Sequence, residues 1–150
     1  MQRMIIRQNS ATAEDIASHL RACDDAFVRS LEHRVEIAAY ADKIARLAHC
    51  IEGWRDERLV GLVASYFNEQ TRIAFITNVS VLVEAQGMGS GGILLEQCIA
   101  KMQTLGAIEI RLEVEESNQV ARYFYLKHAF IQSGISGNIL QMIRHCETKT

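Results

Sequence analysis

A glutamine and several glycines follow a β-branched segment in the middle of the chain, and this arrangement suits phosphate binding. After VSVLV (79–83) comes the pattern Q-x-x-G-x-G, whose fixed positions are Gln86, Gly89 and Gly91. An amphipathic helix is predicted to begin directly afterwards, at ILLEQCIAKMQTL. The first amides of a helix have no intrahelical acceptor and lie at the positive end of its dipole. The pattern therefore predicts a pyrophosphate site.

Two other phosphate-binding loops can be compared with this turn. A P-loop requires Lys and then Ser or Thr after its last glycine, whereas Ile and Leu follow here. Gly87, Gly89 and Gly92 do satisfy the dinucleotide pattern G-x-G-x-x-G, and Glu109 lies near the interval of a ribose-binding acid. That pattern normally opens the first βαβ unit, but a long segment precedes it here. A dinucleotide-binding domain is the alternative interpretation.

A second pattern lies downstream of the glycine turn. Residues 118–130 read N-x-x-A-x-x-F-Y-x-K-x-A-F, with Asn118, Tyr125 and Lys127 as the polar members. Together with the turn, this pattern resembles the GNAT superfamily of acyl-CoA-dependent N-acetyltransferases. The resemblance implies an α/β (α+β) fold with a mixed, mainly antiparallel central sheet flanked by helices. It also implies acetyl-CoA as cosubstrate and direct attack by an amine in a ternary complex.

The resemblance assigns cofactor contacts to individual positions. In that family the glycine turn holds the CoA pyrophosphate, the preceding strand lends backbone groups to the pantetheine arm, and a tyrosine lies near the sulfur. These contacts would fall on Val81, Leu82, Val83, Gln86, Gly87, Met88, Gly89, Ser90, Gly91, Asn118 and Tyr125. Gly92 stands where the family often has a basic residue, so charge pairing to the phosphates would be weaker.

The expected chemistry requires an acid and a base. Tyr125 carries a phenol and is the candidate general acid for the departing thiolate. A primary amine with a pKa near 10.4 is almost fully protonated at neutral pH, so a proton must also be removed. Thr77 and Asn78, on the strand before the turn, cannot accept it. The base candidates, each acting through a water, are Glu113 first and then Tyr66, Glu36 and His33.

The acceptor is expected to bind the segment from about Phe27 to Ala48. This segment mixes charges, so it favours neither a purely cationic nor a purely anionic substrate; its polar members are Arg29, His33, Arg34, Glu36, Tyr40 and Asp42. A looser resemblance of YADKIARLAHCIEGW and VGLVASY to small bacterial acetyltransferases of polysaccharide synthesis implies an amino sugar. A domain that binds acyl-CoA without turnover is the non-enzymatic alternative.

Composition limits the remaining function classes. The chain has 150 residues, is 49% hydrophobic and has a net charge of −2, which predicts one domain over residues 1–150. No Lys/Arg cluster indicates a nucleic-acid or anionic-membrane partner. Neither the four cysteines nor the five histidines have metal-site spacing, and no apolar run approaches a membrane span. A cytoplasmic enzyme is predicted, and a homodimer stays open because dimers are common in the family.

The predicted element order is βααβββαβαββ. Apolar stripes at helical spacing are predicted on the first two helices, with Ile16, Leu20, Cys23 and Phe27 on the first and Ile37, Tyr40, Ile44 and Leu47 on the second. The paired turns RDER and NEQT indicate two hairpins, and strict alternation after Gly106 indicates a half-buried strand. The predicted elements are a strand at Met4–Gln8, a helix capped by Thr12 and Asp15, a helix at Ser30–Ala48, strands at Ile51–Trp54, Leu59–Phe67 and Arg72–Val83, the helix from Ile93, a strand at Ile108–Glu115, a short helix after Asn118, and a hairpin over Phe130–Ile143.

Overall fold

A computed structural model describes residues 3–23 and 31–147, with side chains from residue 36 onward in the second range. The predicted order of elements is confirmed. They are β1 (Ile5–Gln8), α1 (Ala13–Cys23), α2 (Leu31–Leu47), β2 (His49–Arg55), β3 (Arg58–Asn68), β4 (Ile73–Val81), a 3₁₀ turn (Val83–Ala85), α3 (Ser90–Leu105), β5 (Glu109–Glu115), α4 (Gln119–Lys127), β6 (Ile131–Ser136) and β7 (Ile139–His145).

The strands form one seven-stranded sheet in the order β1-β2-β3-β4-β5-β7-β6. The pairs β1/β2, β2/β3, β5/β7 and β6/β7 are antiparallel, whereas β4 and β5 are parallel. The predicted mixed, mainly antiparallel sheet is therefore confirmed. A dinucleotide-binding fold requires a mostly parallel sheet, so that alternative does not fit this chain.

The chain divides into two compact units. The first unit comprises Met1–Ser65 and Asn78–Cys98, and the second comprises Tyr66–Thr77 and Ile99–Thr150. β3, β4 and α3 each contribute residues to both units.

The core of the first unit is built by α1, α2, β2 and β3. The predicted apolar stripes largely account for it, since Ile16, Leu20 and Ile44 are buried at helical spacing. Leu47 was predicted to belong to the α2 stripe but is 57% exposed, because it is the last residue of the helix. Phe27, predicted for the α1 stripe, lies outside the described residues.

The second unit contains the clearest match between pattern and burial. Along β5, Ile110, Leu112 and Val114 are buried while Arg111 and Glu113 are exposed, as the alternation predicts. The buried face of β5 lies opposite β7, with Leu112 paired to Met142.

The predicted end of β4 differs from the structure. β4 was expected to reach Val83 but ends at Val81. The Leu82 amide donates to the Val60 carbonyl at 2.8 Å, and the chain then turns because the Ala85 amide donates to the Leu82 carbonyl at 2.9 Å. The segment before the glycine turn is therefore partly a 3₁₀ turn rather than a continuous strand.

A buried carboxylate ties the start of α1 to β2. Glu52 is fully buried, and its two oxygens accept hydrogen bonds from the Ser10 amide (2.9 Å), the Ser10 hydroxyl (2.6 Å), the Ala11 amide (3.0 Å) and Trp54 Nε1 (3.0 Å). Immediately afterwards Thr12 and Asp15 exchange hydrogen bonds in the predicted capping box, at 2.9 and 3.1 Å. The carboxylate therefore fixes the segment that leads into α1.

Replacing Glu52 with Gln should lower the free energy of unfolding by about 3 kcal/mol, because an amide nitrogen would face donors that an oxygen now satisfies. Urea unfolding monitored by circular dichroism measures the loss. Glu14→Gln, an exposed change in the first turn of α1, is the control and should alter stability by less than about 0.5 kcal/mol. Equal stability of the two variants would contradict the role of the buried carboxylate.

Candidate functional site

The glycine turn leads into α3 with several backbone amides directed away from the helix. The Ile93 amide donates to the Gly89 carbonyl at 3.0 Å, so the helix begins at Ser90, three residues before the predicted Ile93. Gly91, predicted as part of the turn, and Gly92 therefore lie in the first helical turn. Helical geometry leaves the amides of residues 90–92 without intrahelical acceptors, and the two glycines put no side chain in front of them.

Two glycines of the turn require a left-handed backbone. Gly87 has a φ of 82° and Gly89 a φ of 75°, in the region that L side chains rarely adopt. A Cβ added at either position would meet no atom within 4 Å. The turn therefore borders open space rather than packed protein, and a ligand can approach its backbone.

Gln86 holds this turn against the end of β4. Its Nε2 donates to the Val81 carbonyl at 2.9 Å, and its amide donates to the Val83 carbonyl at 3.1 Å. The side chain of Gln86 is thus used to position the turn. Leu82, between them, is buried and its amide is committed to Val60, whereas Val83 is 75% exposed.

A guanidinium reaches the turn from β2. Arg55 Nη2 lies 3.9 Å from the sulfur of Met88, and both residues line a cavity of about 500 Å³ with Arg3 and Ser90. The sequence alone does not indicate this positive charge, because Arg55 is distant from the turn along the chain.

Tyr125 lies on α4 in an aromatic cluster of the second unit. Its ring contacts Phe124 and Phe130 edge to face, with centroids 5.3 and 5.9 Å away. Burial raises the pKa of the Tyr125 phenol to about 12. The hydroxyl therefore keeps its proton throughout the physiological range and can act as a hydrogen-bond donor.

Asn118 caps α4 as the sequence predicts. Its Oδ1 accepts a hydrogen bond from the Ala121 amide at 3.1 Å, and the residue is exposed. The Lys127 ammonium, at the other end of the helix, lies 5.8 Å from the Tyr123 ring.

The four base candidates lie on three elements, α2, β3 and β5. Glu113 and Glu36 are exposed, on β5 and α2, and Tyr66 is partly buried at the end of β3. His33 lies where side chains are not described. Of the predicted acceptor segment, Phe27 and Arg29 lie outside the described residues, the side chain of Arg34 is likewise not described, Tyr40 is partly buried, and Asp42 pairs with Arg46 at 2.8 Å.

One buried histidine was not predicted as a candidate functional residue. His19 lies on the buried face of α1, three residues after Ile16, and is 3% exposed. A polar residue on the apolar face of an amphipathic helix was the available signal. Its partners are Leu59 and Ser80, on β3 and β4.

The described residues contain no group of three or more His, Cys, Asp or Glu side chains arranged to hold a metal ion. All four cysteines are free thiols. Burial raises the pKa of Cys50 to about 12 and that of Cys98 to about 11, so both remain protonated and behave as small apolar residues. Within the two described ranges, no helix is both long and apolar enough to cross a membrane.

Comparison with protein families identifies the fold. The model of the acetyltransferase (GNAT) family matches residues 13–130, which include the glycine turn, α3 and α4. The chain belongs to the GNAT family. A comparison with curated proteins found no match in sequence.

Solved structures share this GNAT fold at low sequence identity. The aminoglycoside 6′-acetyltransferase type Ii superimposes with a TM-score of 0.82 at 14% identity, over 98% of this chain and 100% of that one. The ribosomal-protein-S18-alanine N-acetyltransferase from Escherichia coli gives 0.80 at 18%, over 99% and 97%. The PaiA N-acetyltransferase from Thermoplasma acidophilum, in complex with coenzyme A, gives 0.77 at 19%, over 95% and 100%.

Proposed function

We propose that this GNAT protein transfers the acetyl group of acetyl-CoA to a primary amine of a small molecule. The observation that carries the proposal is the start of α3, where amides without intrahelical acceptors follow two glycines in left-handed conformations. Backbone amides at a helix N-terminus bind a pyrophosphate through hydrogen bonds and through the helix dipole. The relative from Thermoplasma acidophilum was solved with coenzyme A, which supports the same ligand here.

The cofactor would be held mainly by the turn and the end of β4. Gly87, Met88 and Gly89 border the open space at the turn, and residues 90–91 offer the first helical amides. The pantetheine arm would continue past Val83 towards Val81. Leu82 would not donate its amide to the pantetheine arm, since that amide is already bonded to the Val60 carbonyl. Arg55 adds a positive charge beside Met88 that favours phosphate groups.

The resemblance gives Tyr125 its role at the thioester sulfur, and the burial of the phenol refines that role. With a pKa of about 12, the phenol is a weaker acid than a thiol near 8.5. Complete proton transfer to the departing thiolate is therefore uphill. Tyr125 would donate a hydrogen bond that stabilises the negative charge developing on sulfur.

The acceptor is proposed to be a small primary amine, with an amino sugar as the first candidate. The structural relatives named above include an aminoglycoside 6′-acetyltransferase and a ribosomal-protein-S18-alanine N-acetyltransferase, so the fold itself accommodates different acceptors. The mixed charges of the acceptor segment favour a substrate that carries both polar and charged groups.

The function is tested by CoA release in the presence of acetyl-CoA and a panel of amino sugars, aminoglycosides, polyamines and amino acids. Thermal unfolding with acetyl-CoA or NAD is measured in parallel, since a ligand at 100 times its Kd adds roughly 2.7 kcal/mol of stability. Stabilisation by acetyl-CoA with amine-dependent CoA release supports the enzyme. Stabilisation without turnover would favour a binding module, and stabilisation by NAD alone would refute the proposal.

Gly89→Glu should abolish acetyl-CoA binding, because a carboxylate would occupy the space in front of the helical amides. Isothermal titration calorimetry measures the affinity. Gly137→Glu is the matched control: this glycine of the β6–β7 turn also has positive φ and open space at its Cβ, so it reproduces the backbone strain alone. Loss of affinity in both variants, or in neither, would refute the pyrophosphate site.

Tyr125→Phe should lower kcat roughly 10-fold to 100-fold while leaving the Kd of acetyl-CoA nearly unchanged, because the hydroxyl acts on the charge that develops on sulfur. Steady-state kinetics with the best acceptor measures the change. Tyr123→Phe, an exposed ring on the same helix, is the control and should retain wild-type turnover. Equal kcat in all three proteins would leave Tyr125 with a packing role only.

A further inference from the structure

A chain of hydrogen bonds joins α1 to β4 inside the first unit. His19 Nε2 lies 2.9 Å from Ser80 Oγ, and Nδ1 lies 3.0 Å from the carbonyl oxygen of Leu59. The Ser80 hydroxyl donates to Asn78 Oδ1 at 2.7 Å. The side chains of Asn78, Ser80 and His19 together form a β4 relay.

The direction of these hydrogen bonds depends on the protonation of His19. A backbone carbonyl only accepts, so Nδ1 carries a hydrogen in either state. The Ser80 hydroxyl has one hydrogen, so it donates either to Nε2 of the neutral ring or to Asn78 Oδ1. When Nε2 takes up a proton it becomes the donor, and the Ser80 hydroxyl donates to Asn78 Oδ1. The β4 relay can thus hold one additional proton by rotating the Ser80 hydroxyl and adjusting the Asn78 amide.

The imidazole is ready to accept that proton at neutral pH. Burial lowers the pKa of His19 from its ordinary value of 6.5, and the charge of Arg58 lowers it further. Arg58 is itself paired with Glu84 at 2.6 Å. The other titratable groups around the ring are Cys23, whose sulfur is 3.6 Å from Nε2, and Asp15 and Glu57, which line a cavity of about 180 Å³ beside His19.

The direction of β4 places the relay next to the reacting end of the cofactor, and this step rests on the function proposed above. If the pyrophosphate lies at the turn of residues 86–91 and the pantetheine runs back along 83 to 81, the acyl group comes next to Ser80. Asn78 and Ser80 alternate on one face of β4, and both are partly exposed. The relay therefore connects this face of the strand to a buried histidine.

We propose that the β4 relay removes the proton of the acceptor amine, with Ser80 as the group that touches the amine and His19 as the proton store behind it. The acceptor ammonium first loses one proton to solvent. As the neutral nitrogen then bonds to the thioester carbon, a second proton passes to Ser80 Oγ and the Ser80 proton passes to His19 Nε2. The carbon–sulfur bond then breaks, and its electron pair leaves on sulfur. After the amide product departs, His19 returns the proton to solvent through Ser80.

The relay explains how a base can operate where the strand offers no carboxylate. Asn78 has no basic group, but its Oδ1 accepts the Ser80 hydroxyl while His19 is charged. The bond from Nδ1 to Leu59 keeps the ring orientation fixed in both states.

The experiment compares four variants with the wild type in kcat, KM and acetyl-CoA affinity between pH 5 and 9. His19→Gln and Ser80→Ala should lower kcat about 100-fold, because general base catalysis contributes at least that factor, with unchanged acetyl-CoA affinity. Ser80→Thr keeps the hydroxyl and should stay within a few-fold of wild type. Ser18→Ala, an exposed change in the same turn of α1, should have no effect.

The pH profile separates proton transfer from a structural role. Because a charged His19 cannot accept a proton, wild-type kcat should fall as the pH drops through the pKa of His19, below 6.5. This decrease should be absent in His19→Gln. If His19→Gln does not fold, Ser80→Ala decides, since it leaves the bond from His19 to Leu59 intact.

The outcomes are distinguishable. Wild-type kcat and pH profile in Ser80→Ala or in a folded His19→Gln would overturn the relay and leave the acetyltransferase proposal standing. A low kcat in Ser80→Ala that Ser80→Thr does not rescue would also overturn it, because the hydroxyl would then not be what matters. A wild type that binds acetyl-CoA but acetylates no amine would overturn both proposals.

Discussion

The buried carboxylate of Glu52 is the constraint on which the first unit depends. The carboxylate accepts four hydrogen bonds, three from the segment before α1 and one from Trp54. These bonds connect the segment before α1 to β2 in addition to the apolar packing. An isolated carboxylate would be costly to bury, and only this full set of hydrogen bonds makes the arrangement favourable. With the segment before it held in place, α1 presents Ile16 to the core and His19 to β3 and β4.

A second constraint acts at the glycine turn. Two residues there adopt left-handed conformations, and Gln86 returns to the end of β4 with both its side chain and its amide. The backbone is thus held in a shape that glycine tolerates and other residues do not. Holding that shape before a ligand arrives reduces the ordering cost of binding.

The spacing of apolar residues and the capping side chains predicted the features that depend on neighbours in the sequence. The alternation of β5 and the stripe of α1 follow directly from burial of one face, and Asn118 and Thr12 were recognisable as caps from their side chains. The glycine turn could be predicted because its residues are contiguous in the sequence. The functions assigned to those residues stay predictions. Arg55 and His19 were missed because their importance comes from neighbours that the fold brings together. The predicted end of β4 was wrong because the bond from the Ala85 amide to the Leu82 carbonyl, which turns the chain, cannot be seen in sequence.

The first turn of α3 contains two glycines and exposes main-chain amides, which has an evolutionary consequence. A ligand gripped by main-chain groups is insensitive to most side-chain replacements, so long as the glycines and the helix persist. Under the proposed function, residues elsewhere can change with the acceptor while the cofactor site is retained. Structural relatives that superimpose with TM-scores near 0.8 at 14 to 18% identity, and whose names record unrelated acceptors, are what such divergence would produce.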